Sequence, residues 1–589
     1  VRRWKVDALK PLSRAPRLKK FLALDTEDDQ LGYGRRTGFY LGCAWGPDGP
    51  ETFTTRERLA AYLAQERFSG HYVACHNLEY DLLNVFGPRQ VARMYPCFSG
   101  SKMCSAVLPI SAKHSLRFFD TSCFLQEPLS RLAPLVGLEK LDAEHRPGDR
   151  RATRQRREYC ARDAEIVWKL SNWLQEGVNA LGAELKLTAA STALDCFRRR
   201  YLHESIPSLP AEVQVAMHRG YYGGRVECFR VGSFSDGPYY KNDINGAYVS
   251  VMVKCNLPEI GCFERKPHAD LSREGMCQAR VTVPGDLWAA PLPVRGEKLT
   301  FPVGRLQGWW TYNELRMALN EGVKVDRVLE CYHSDRSEPY LSEMMKALRG
   351  IRENLETPAP VARMAKLMGN SLYGKFAQRN ENAEYLDVDD FALKVARREL
   401  VSGRDFDPEH TEEFPAVGVV RMSRPGDFPA HSNVIWSAIV TAGCRGLLYG
   451  HITRPMLQDG QDCTYYCDTD SQVGTVAYPR SKALGSMVLE KKYLELVVRG
   501  NKLYAGREPD GTWEAHAKGV SRAKALEAVV TAGEGHRIED RRPVKFRTAS
   551  RGRDRANRWI AVHKVLSGEY GKRKVLPDGR TEPLVVSQW

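Results

Sequence analysis

The chain has 589 residues, with 87 Lys and Arg against 72 Asp and Glu, a formal net charge of +15. That length is too great for one hydrophobic core and fits two to four domains, while the cationic excess favours a polyanionic partner. Its 15 cysteines include no Cys-x-x-Cys pair, which argues against a zinc module or a disulfide framework and for a reduced, cytoplasmic setting.

Phe21-Leu22-Ala23-Leu24-Asp25-Thr26-Glu27 predicts a buried strand ending in two acids. Residues two apart on an extended chain face the same side, so Asp25 and Glu27 point together. His76-Asn77-Leu78-Glu79-Tyr80-Asp81 follows. Then Tyr159-Cys160-Ala161-Arg162-Asp163 opens an apolar helix through Ile166, Val167 and Leu170, with Tyr159 and Asp163 one turn apart. Each segment alone also fits a surface loop or an ordinary helix. Tyr221-Tyr222-Gly223-Gly224 precedes the strand-like, aromatic run Lys241-Asn242-Asp243-Ile244-Asn245-Gly246-Ala247-Tyr248. Asp243 reads there as an acid at a strand end or as the N-cap of a helix. β-rich segments such as 277–283 and a helix near 311–320 come next.

Between Arg363 and Phe376, helical spacing puts Arg363, Lys366, Asn370 and Tyr373 on one stripe and Met364, Leu367, Met368 and Leu372 on another. The plain reading is an amphipathic helix ended by Gly374. A cationic stripe closed by an aromatic ring and a bare glycine also suits a nucleoside triphosphate. Residues 434–444 are apolar but too short to cross a bilayer and read as a buried helix, and the basic N-terminus has no apolar core behind it, so neither a membrane partner nor a signal peptide is expected. In Tyr466-Cys467-Asp468-Thr469-Asp470-Ser471 two acids lie between strand-like stretches, which predicts a hairpin with both at its tip. An ordinary solvated turn looks the same. With Asp243 as a third carboxylate, such a tip can hold two hard cations about 4 Å apart for phosphoryl transfer.

Taken in order, these segments resemble the motifs of family B DNA polymerases, in particular the small protein-primed bacteriophage type with a proofreading exonuclease. Asp243 and Tyr248 match the first polymerase motif, Lys366, Asn370, Tyr373 and Gly374 the second, and Asp468 and Asp470 the third. Lys502-Leu503-Tyr504 matches the Lys-x-Tyr element at the primer terminus, and Tyr221 to Gly224 the Tyr-x-Gly-Gly element joining the two halves. The resemblance implies two Mg2+ per active site, with Mn2+ as the alternative. Asp243, Asp468 and Asp470 are the implied ligands for synthesis. Arg363, Lys366, Asn370 and Tyr373 are implied at the incoming dNTP, with Tyr248 under its sugar to reject a 2′-hydroxyl. DNA contacts are implied for Tyr221, Gly223, Gly224, Gly374, Lys502 and Tyr504. A second two-metal centre is implied for Asp25, Glu27, Asp81 and Asp163, with Tyr159 orienting the attacking water and His76, Asn77 and Lys140 near a single-stranded 3′ end. Two positions depart from the pattern: Gly246-Ala247-Tyr248-Val249 replaces Ser-Leu-Tyr-Pro, and Asp28 replaces a Thr.

The implied fold is a multidomain α/β and α+β chain. Residues 1–185 form an RNase H-like exonuclease domain, followed by a right-hand polymerase with palm, fingers and thumb. The palm covers 186–251 and 431–530, interrupted by an insertion at 252–348 of the kind that meets a terminal protein. Fingers at 349–378, a second insertion at 379–430 long enough for a β-hairpin, and a thumb at 531–589 complete it. Arginine-rich runs at 146–157, 198–200 and 541–558 are expected along the DNA path, where binding weakens with salt. The implied function is template-directed addition of dNTPs to a 3′-hydroxyl with 3′-5′ editing. The chain is then a monomer acting on a DNA template-primer in viral, plasmid or mobile-element replication. A stand-alone 3′-5′ exonuclease and a noncatalytic DNA-binding replication factor are the alternatives. Initiation stays open between a nucleic-acid primer, primer-independent starting and a terminal protein primer, the last being favoured.

Overall fold

The computed structural model describes residues 7–29, 38–100, 102–111, 114–142, 149–402, 406, 408, 411–415, 418–425, 427–459, 463–531, 536–543, 545–546, 559–565 and 570–587. Its N-terminal unit is built on a seven-stranded mixed sheet. The strands are β1 (Phe21–Asp28), β2 (Phe39–Gly46), β3 (Gly49–Phe53), β4 (Tyr72–Cys75), β5 (Cys97–Ser99), β6 (Lys102–Pro109) and β7 (Ser115–Asp120), in the spatial order β3-β2-β1-β4-β7-β6-β5. The neighbours β1, β4 and β7 run parallel, and the outer pairs are antiparallel. Parallel strands buried on both faces need continuous apolar runs, which Phe21 to Leu24 and Tyr72 to Cys75 supply. Helix α1 (Leu78–Ala92) covers one face and the long α2 (Arg154–Ala180) packs across β1 and β2. Trp168 on α2 donates its indole N–H to the Phe21 carbonyl at 3.0 Å, fixing the helix against β1.

A shared core then carries the chain into a second unit. Leu170, Leu174 and Val178 of α2 pack with α3 (Ala189–Arg200), and with Met364, Met368 and Leu372 of a later helix. The crossing is close because Gly177 has no side chain: a Cβ there would lie 2.5 Å from the Pro360 carbonyl oxygen. The second unit is centred on a five-stranded antiparallel sheet containing β8 (Val226–Cys228), β9 (Tyr239–Ile244), β10 (Thr464–Asp468), β11 (Ser471–Gly474) and β12 (Met487–Tyr493), in the order β8-β10-β11-β9-β12. Helix α4 (Ala247–Lys254) follows β9, and α5 (Ser342–Glu353), α6 (Ala359–Lys375) and α7 (Val434–Asp459) pack around it. On α6 the two predicted stripes separate as read: Met364, Met368 and Leu372 are fully buried while Lys366 and Asn370 are exposed. Gly374 lies inside the last turn, and the helix runs on through Lys375. Val434 to Val440 are buried in the common core, and among the described residues no helix is long and apolar enough to cross a membrane.

Two segments interrupt this unit. Residues 252–348 contribute a sheet of Glu264–Lys266, Lys324–Ser334, Glu274–Val283 and Val303–Thr311, with the helix Tyr312–Asn320 where the sequence predicts one. Its fifth strand, Val585–Ser587, is parallel to Val303–Thr311 and comes from the far end of the chain. The tail from 531 onward therefore divides. Arg537–Pro543 pairs with Trp559–Val565 as a separate two-stranded ribbon, whereas residues 570–587 return to the centre. The second interruption is more than a hairpin: Glu381–Asp387, Val419–Pro425 and Thr411–Phe414 form three antiparallel strands beside the helix Val388–Ala396. Phe414 and Val419 turn one face of it onto the N-terminal unit, where they share a core cluster with Phe546.

The arginine-rich runs are partly consumed inside the fold. Arg199 is buried against Asp195 and Glu184, Arg156 against Asp149, and Arg150 bonds Asp29. These side chains stabilise local turns rather than offering free charge. Arg146, Arg547, Arg551, Arg553, Arg555 and Arg558 lie outside the described residues, as do the side chains of Arg541 and Arg542.

Candidate active sites

The first constellation forms where α2 crosses the edge of β1. Alternation along β1 sets Asp25 and Glu27 on one side, and α2 brings Tyr159, Cys160 and Asp163 over them. One oxygen each of Asp25 and Glu27 and the Cys160 sulfur all lie within 4.8 Å of one another. From α1, Asp81 accepts a hydrogen bond from Thr26 Oγ1 at 2.8 Å, and Asn84 donates to the same hydroxyl at 3.1 Å. Lys140 bonds the Asp163 carboxylate and donates to the Tyr159 hydroxyl at 3.0 Å. Among the described residues, Asp25 Oδ2 and Asp163 Oδ1 are buried without a hydrogen-bond partner.

Burial followed by mutual repulsion dominates the electrostatics. Desolvation, then the charges of Asp163 and Glu27, push Asp25 well above the usual carboxylate range. Desolvation and then Asp163 raise Glu27 to about 8. Desolvation and then Asp25 raise Asp81 well up. Lys140 counters only part of this at Asp163, whose pKa is still raised, chiefly by desolvation. Four clustered acids whose pKa values are all raised by burial, two of them with an unpartnered oxygen, are a donor set for divalent cations. Tyr159, raised to about 12 by burial and then by Asp163, stays a neutral phenol.

His76 and Asn77 frame this centre from the turn into α1. Asp120, which the sequence reading passed over, accepts the backbone N–H groups of Asn77 and Leu78 at 3.2 and 3.3 Å and so anchors that turn. His76 has both ring nitrogens engaged, with Thr121 Oγ1 at 2.9 Å and the Glu127 carbonyl at 3.0 Å. Burial lowers its pKa, and its role in the structure is to hold the turn. Asn77 adopts the left-handed conformation at φ 96°, which Asn tolerates better than most residues.

The second constellation joins parts of the chain more than two hundred residues apart. β9 pairs with β11, Asp243 opposite Ser471, and the Ile244 N–H donates to the Asp470 carbonyl at 2.7 Å. Asp243 is thus a strand residue; Gly246, at φ 61°, precedes the first turn of α4. Asp470 follows Thr469, whose φ of 62° forms the tight tip. Desolvation, then the charges of Asp470 and Glu490, raise Asp243 to about 7. Desolvation and then Asp468 raise Asp470. Asp468 faces another way: it accepts from the Tyr466 hydroxyl at 3.1 Å and pairs with Lys502 Nζ at 3.1 Å. Among the described residues, Asp243, Asp468 and Asp470 do not form a ligand cluster as compact as the one at Asp25.

The surrounding residues fit a phosphate-bearing ligand. A cavity of about 720 Å³ is lined by Gly246, Lys366 and Asn370, and also by Arg349, Arg352 and Lys482. The last three were missed because isolated basic residues read as solvated surface. Burial and then the charges of Arg352 and Arg363 lower the pKa of Lys366, as expected for cations gathered without their anion. Arg363 itself pairs with Glu127 of the N-terminal unit. Tyr248 and Tyr373 stack with centroids 4.4 Å apart and planes at 5°. Tyr504 is buried between Tyr466 and His516.

Tyr221 to Gly224 has a clear structural task. Arg445, in a buried pair with Glu314 at 2.6 Å, donates to the carbonyls of Tyr222 and Gly223 at 2.6 and 2.9 Å. The chain then passes so close to the tip that a Cβ on Gly224 would lie 2.7 Å from the Thr469 side chain, and Thr469 N–H donates to the Arg225 carbonyl at 2.7 Å. Behind β8, Glu227 sits between Arg225 and Arg573, all three buried.

Residues 135–409 match the sequence model of a family described as DNA polymerase type B, organellar and viral. The chain is 24% identical over 341 residues to a probable DNA polymerase of Neurospora intermedia, covering 54% of this chain and 34% of that protein. It is 31% identical over 173 residues to the primer-independent DNA polymerase PolB of Escherichia coli, covering 27% and 20%. The matched part thus spans about a third or less of those relatives. Among solved structures, phi29 DNA polymerase complexed with primer-template DNA superposes with a TM-score of 0.70 at 14% identity, covering 93% of this chain and 100% of that one. The family model thus covers a little under half of this chain, and the solved structure shares its fold over nearly the whole length. The fold resembles that of phi29 DNA polymerase, with and without an incoming nucleotide bound to that protein.

Proposed function

We propose that this chain is a template-directed DNA polymerase with a 3′-5′ exonuclease, each activity at its own carboxylate centre. The observation that carries the reading is the pairing of β9 with β11, which sets Asp243 beside Asp470 across more than two hundred residues of sequence. On this reading the N-terminal mixed sheet is the RNase H-like exonuclease domain (1–185). The sheet around Asp243 is the palm (186–251 and 431–530), α5 and α6 contribute the fingers (349–378), and 252–348 and 379–430 are palm insertions. The ribbon within 531–589 is the thumb.

Asp243 and Asp470 would hold two Mg2+ or Mn2+ ions, with Asp468 joining once it leaves Lys502. Bound there, such ions activate the primer 3′-hydroxyl and stabilise the leaving pyrophosphate. Lys366, with Arg349 and Arg352, draws the triphosphate of a dNTP into the cavity beside α4. The Tyr248–Tyr373 stack presents a flat wall to sugar and base. Lys502, with Tyr221, Gly223, Gly224 and Gly374, lines the DNA path, and Tyr504 supports it from beneath, packed between Tyr466 and His516. In the other centre Asp25, Glu27, Asp81 and Asp163 would hold the ions for hydrolysis. There Tyr159, a neutral donor positioned by Lys140, orients the attacking water, while Asn77 meets the frayed 3′ end.

Primer extension tests this reading. With an annealed template-primer and single dNTPs, only the complementary nucleotide is incorporated, as template-directed synthesis requires. No incorporation under any condition would overturn it. Initiation has two readings. The phage-like fold favours a terminal protein primer, whereas the similarity to a relative named primer-independent favours starting without one. Labelled dNTP and template, with oligonucleotide omitted and a terminal protein present or absent, separate them.

A further inference from the structure

Cys160 lies inside the N-terminal carboxylate centre, although hydrolysis with hard cations requires only oxygen ligands. Its sulfur is completely buried and donates to the Asp25 carbonyl at 3.5 Å, so it is directed at the acid-bearing edge of β1. Asp25, Glu27 and Cys160 offer donor atoms that all lie within 4.8 Å of one another. One helical turn further on, Asp163 is 5% exposed with Oδ1 unpartnered. A buried cysteine is most often apolar filling, and Cys160 does touch a small cluster with Tyr40, Leu41 and Cys43. Filling alone does not call for two carboxylates beside the sulfur.

We propose that this centre is also a trap for thiophilic divalent cations, in which Cys160, Asp25 and Glu27 seize Zn2+ and Asp163 completes a closed four-ligand shell. Donors in a tetrahedral zinc shell are about 3.5 Å apart, within reach of side chains whose donor atoms already lie within 4.8 Å of one another. The thiol proton, and any proton on the Asp25 and Glu27 carboxyls, leave to solvent as the S–Zn and O–Zn bonds form, and no electrons are transferred. Asp163 exchanges Lys140 for the ion. Thiolate selects Zn2+ or Cd2+ over Mg2+, and a shell closed by four protein ligands leaves no position for a reacting water. Zn2+ therefore silences cutting without touching Asp243 or Asp470. The silencing rests on the exonuclease reading above; the binding does not.

Two measurements test it. Zinc-edge X-ray absorption of the wild-type protein with one equivalent of ZnCl2 is expected to report a single sulfur at about 2.3 Å with oxygen neighbours; an all-oxygen or all-sulfur shell overturns the proposal. CdCl2 titration, followed by the near-ultraviolet thiolate charge-transfer band, is expected to show one tight ion whose band is lost in Cys160→Ala and in Cys160→Ser. Its affinity should fall at least 10-fold there and in Asp25→Asn. Bands and affinities equal to wild type overturn it. In nuclease assays with Mg2+ present, micromolar ZnCl2 should inhibit wild type and inhibit Cys160→Ser at least 10-fold less. If the sulfur-containing shell forms but no nuclease activity exists under any condition, the exonuclease reading fails and the metal site stands.

Discussion

The two carboxylate centres solve one electrostatic problem in opposite ways. At Asp25 the acids gather on an interior strand of the sheet under α2, with Lys140 paired to one of them. At Asp243 the acids are more spread, one is turned toward Lys502, and a cationic cavity opens beside them. The difference fits the proposed substrates. A hydrolytic centre receives only a strand end and a water, so it can stay compact. A synthetic centre must admit a triphosphate with each turnover, so its cations wait around the cavity and its acids close only when the substrate is present.

The comparison breaks most visibly if the acids are not what separates the activities. Asp243→Asn should lower nucleotide incorporation on the order of 10³-fold and leave shortening of single-stranded 3′ ends intact. The same change should raise the metal-free melting temperature at pH 8, because it removes repulsion with Asp470. Next in size is Arg573→Met, which leaves buried Glu227 with one cation instead of two. We expect a loss of about 3 kcal/mol in denaturant unfolding, with both activities failing together on heating. Lys140→Met should cost roughly 10–100-fold in nuclease rate while primer extension is unchanged.

The smallest effect is a pH signature. Unfolded carboxylates ionise near pH 4, whereas Asp243 ionises at about 7 and Glu27 at about 8 in the fold. Between those limits the folded state binds more protons, so metal-free stability falls as pH rises. Melting scans from pH 5 to pH 8 should show a drop on the order of a few °C, and Mg2+ should restore more at pH 8 than at pH 5. A flat metal-free profile would mean that the acids are already neutralised.

Much of both centres was legible because their signals are local. Asp25 and Glu27 share a face by strand alternation, Tyr159 and Asp163 by helical spacing, and Asp468 and Asp470 sit at a hairpin tip. The helix stripes of α6 were equally readable. What escaped the sequence depends on long-range pairing. The Arg445–Glu314 pair that pins Tyr222 and Gly223 and the Arg573–Glu227 contact join charges that each read as surface, and Arg363, read as a dNTP contact, pairs with Glu127. The return of 585–587 to a sheet begun near 264 has no local signature at all. Nor did spacing reveal that Asp468 turns to Lys502, since that choice depends on which cation lies nearest in space.

The most direct test of two separate centres is a reciprocal pair of variants assayed for both activities. Asp470→Ala should lose primer extension and still shorten single-stranded 3′ ends, while Asp25→Ala should extend primers and no longer shorten them. If each substitution removed both activities equally, or neither, one centre or none would be doing the chemistry and the account would be wrong.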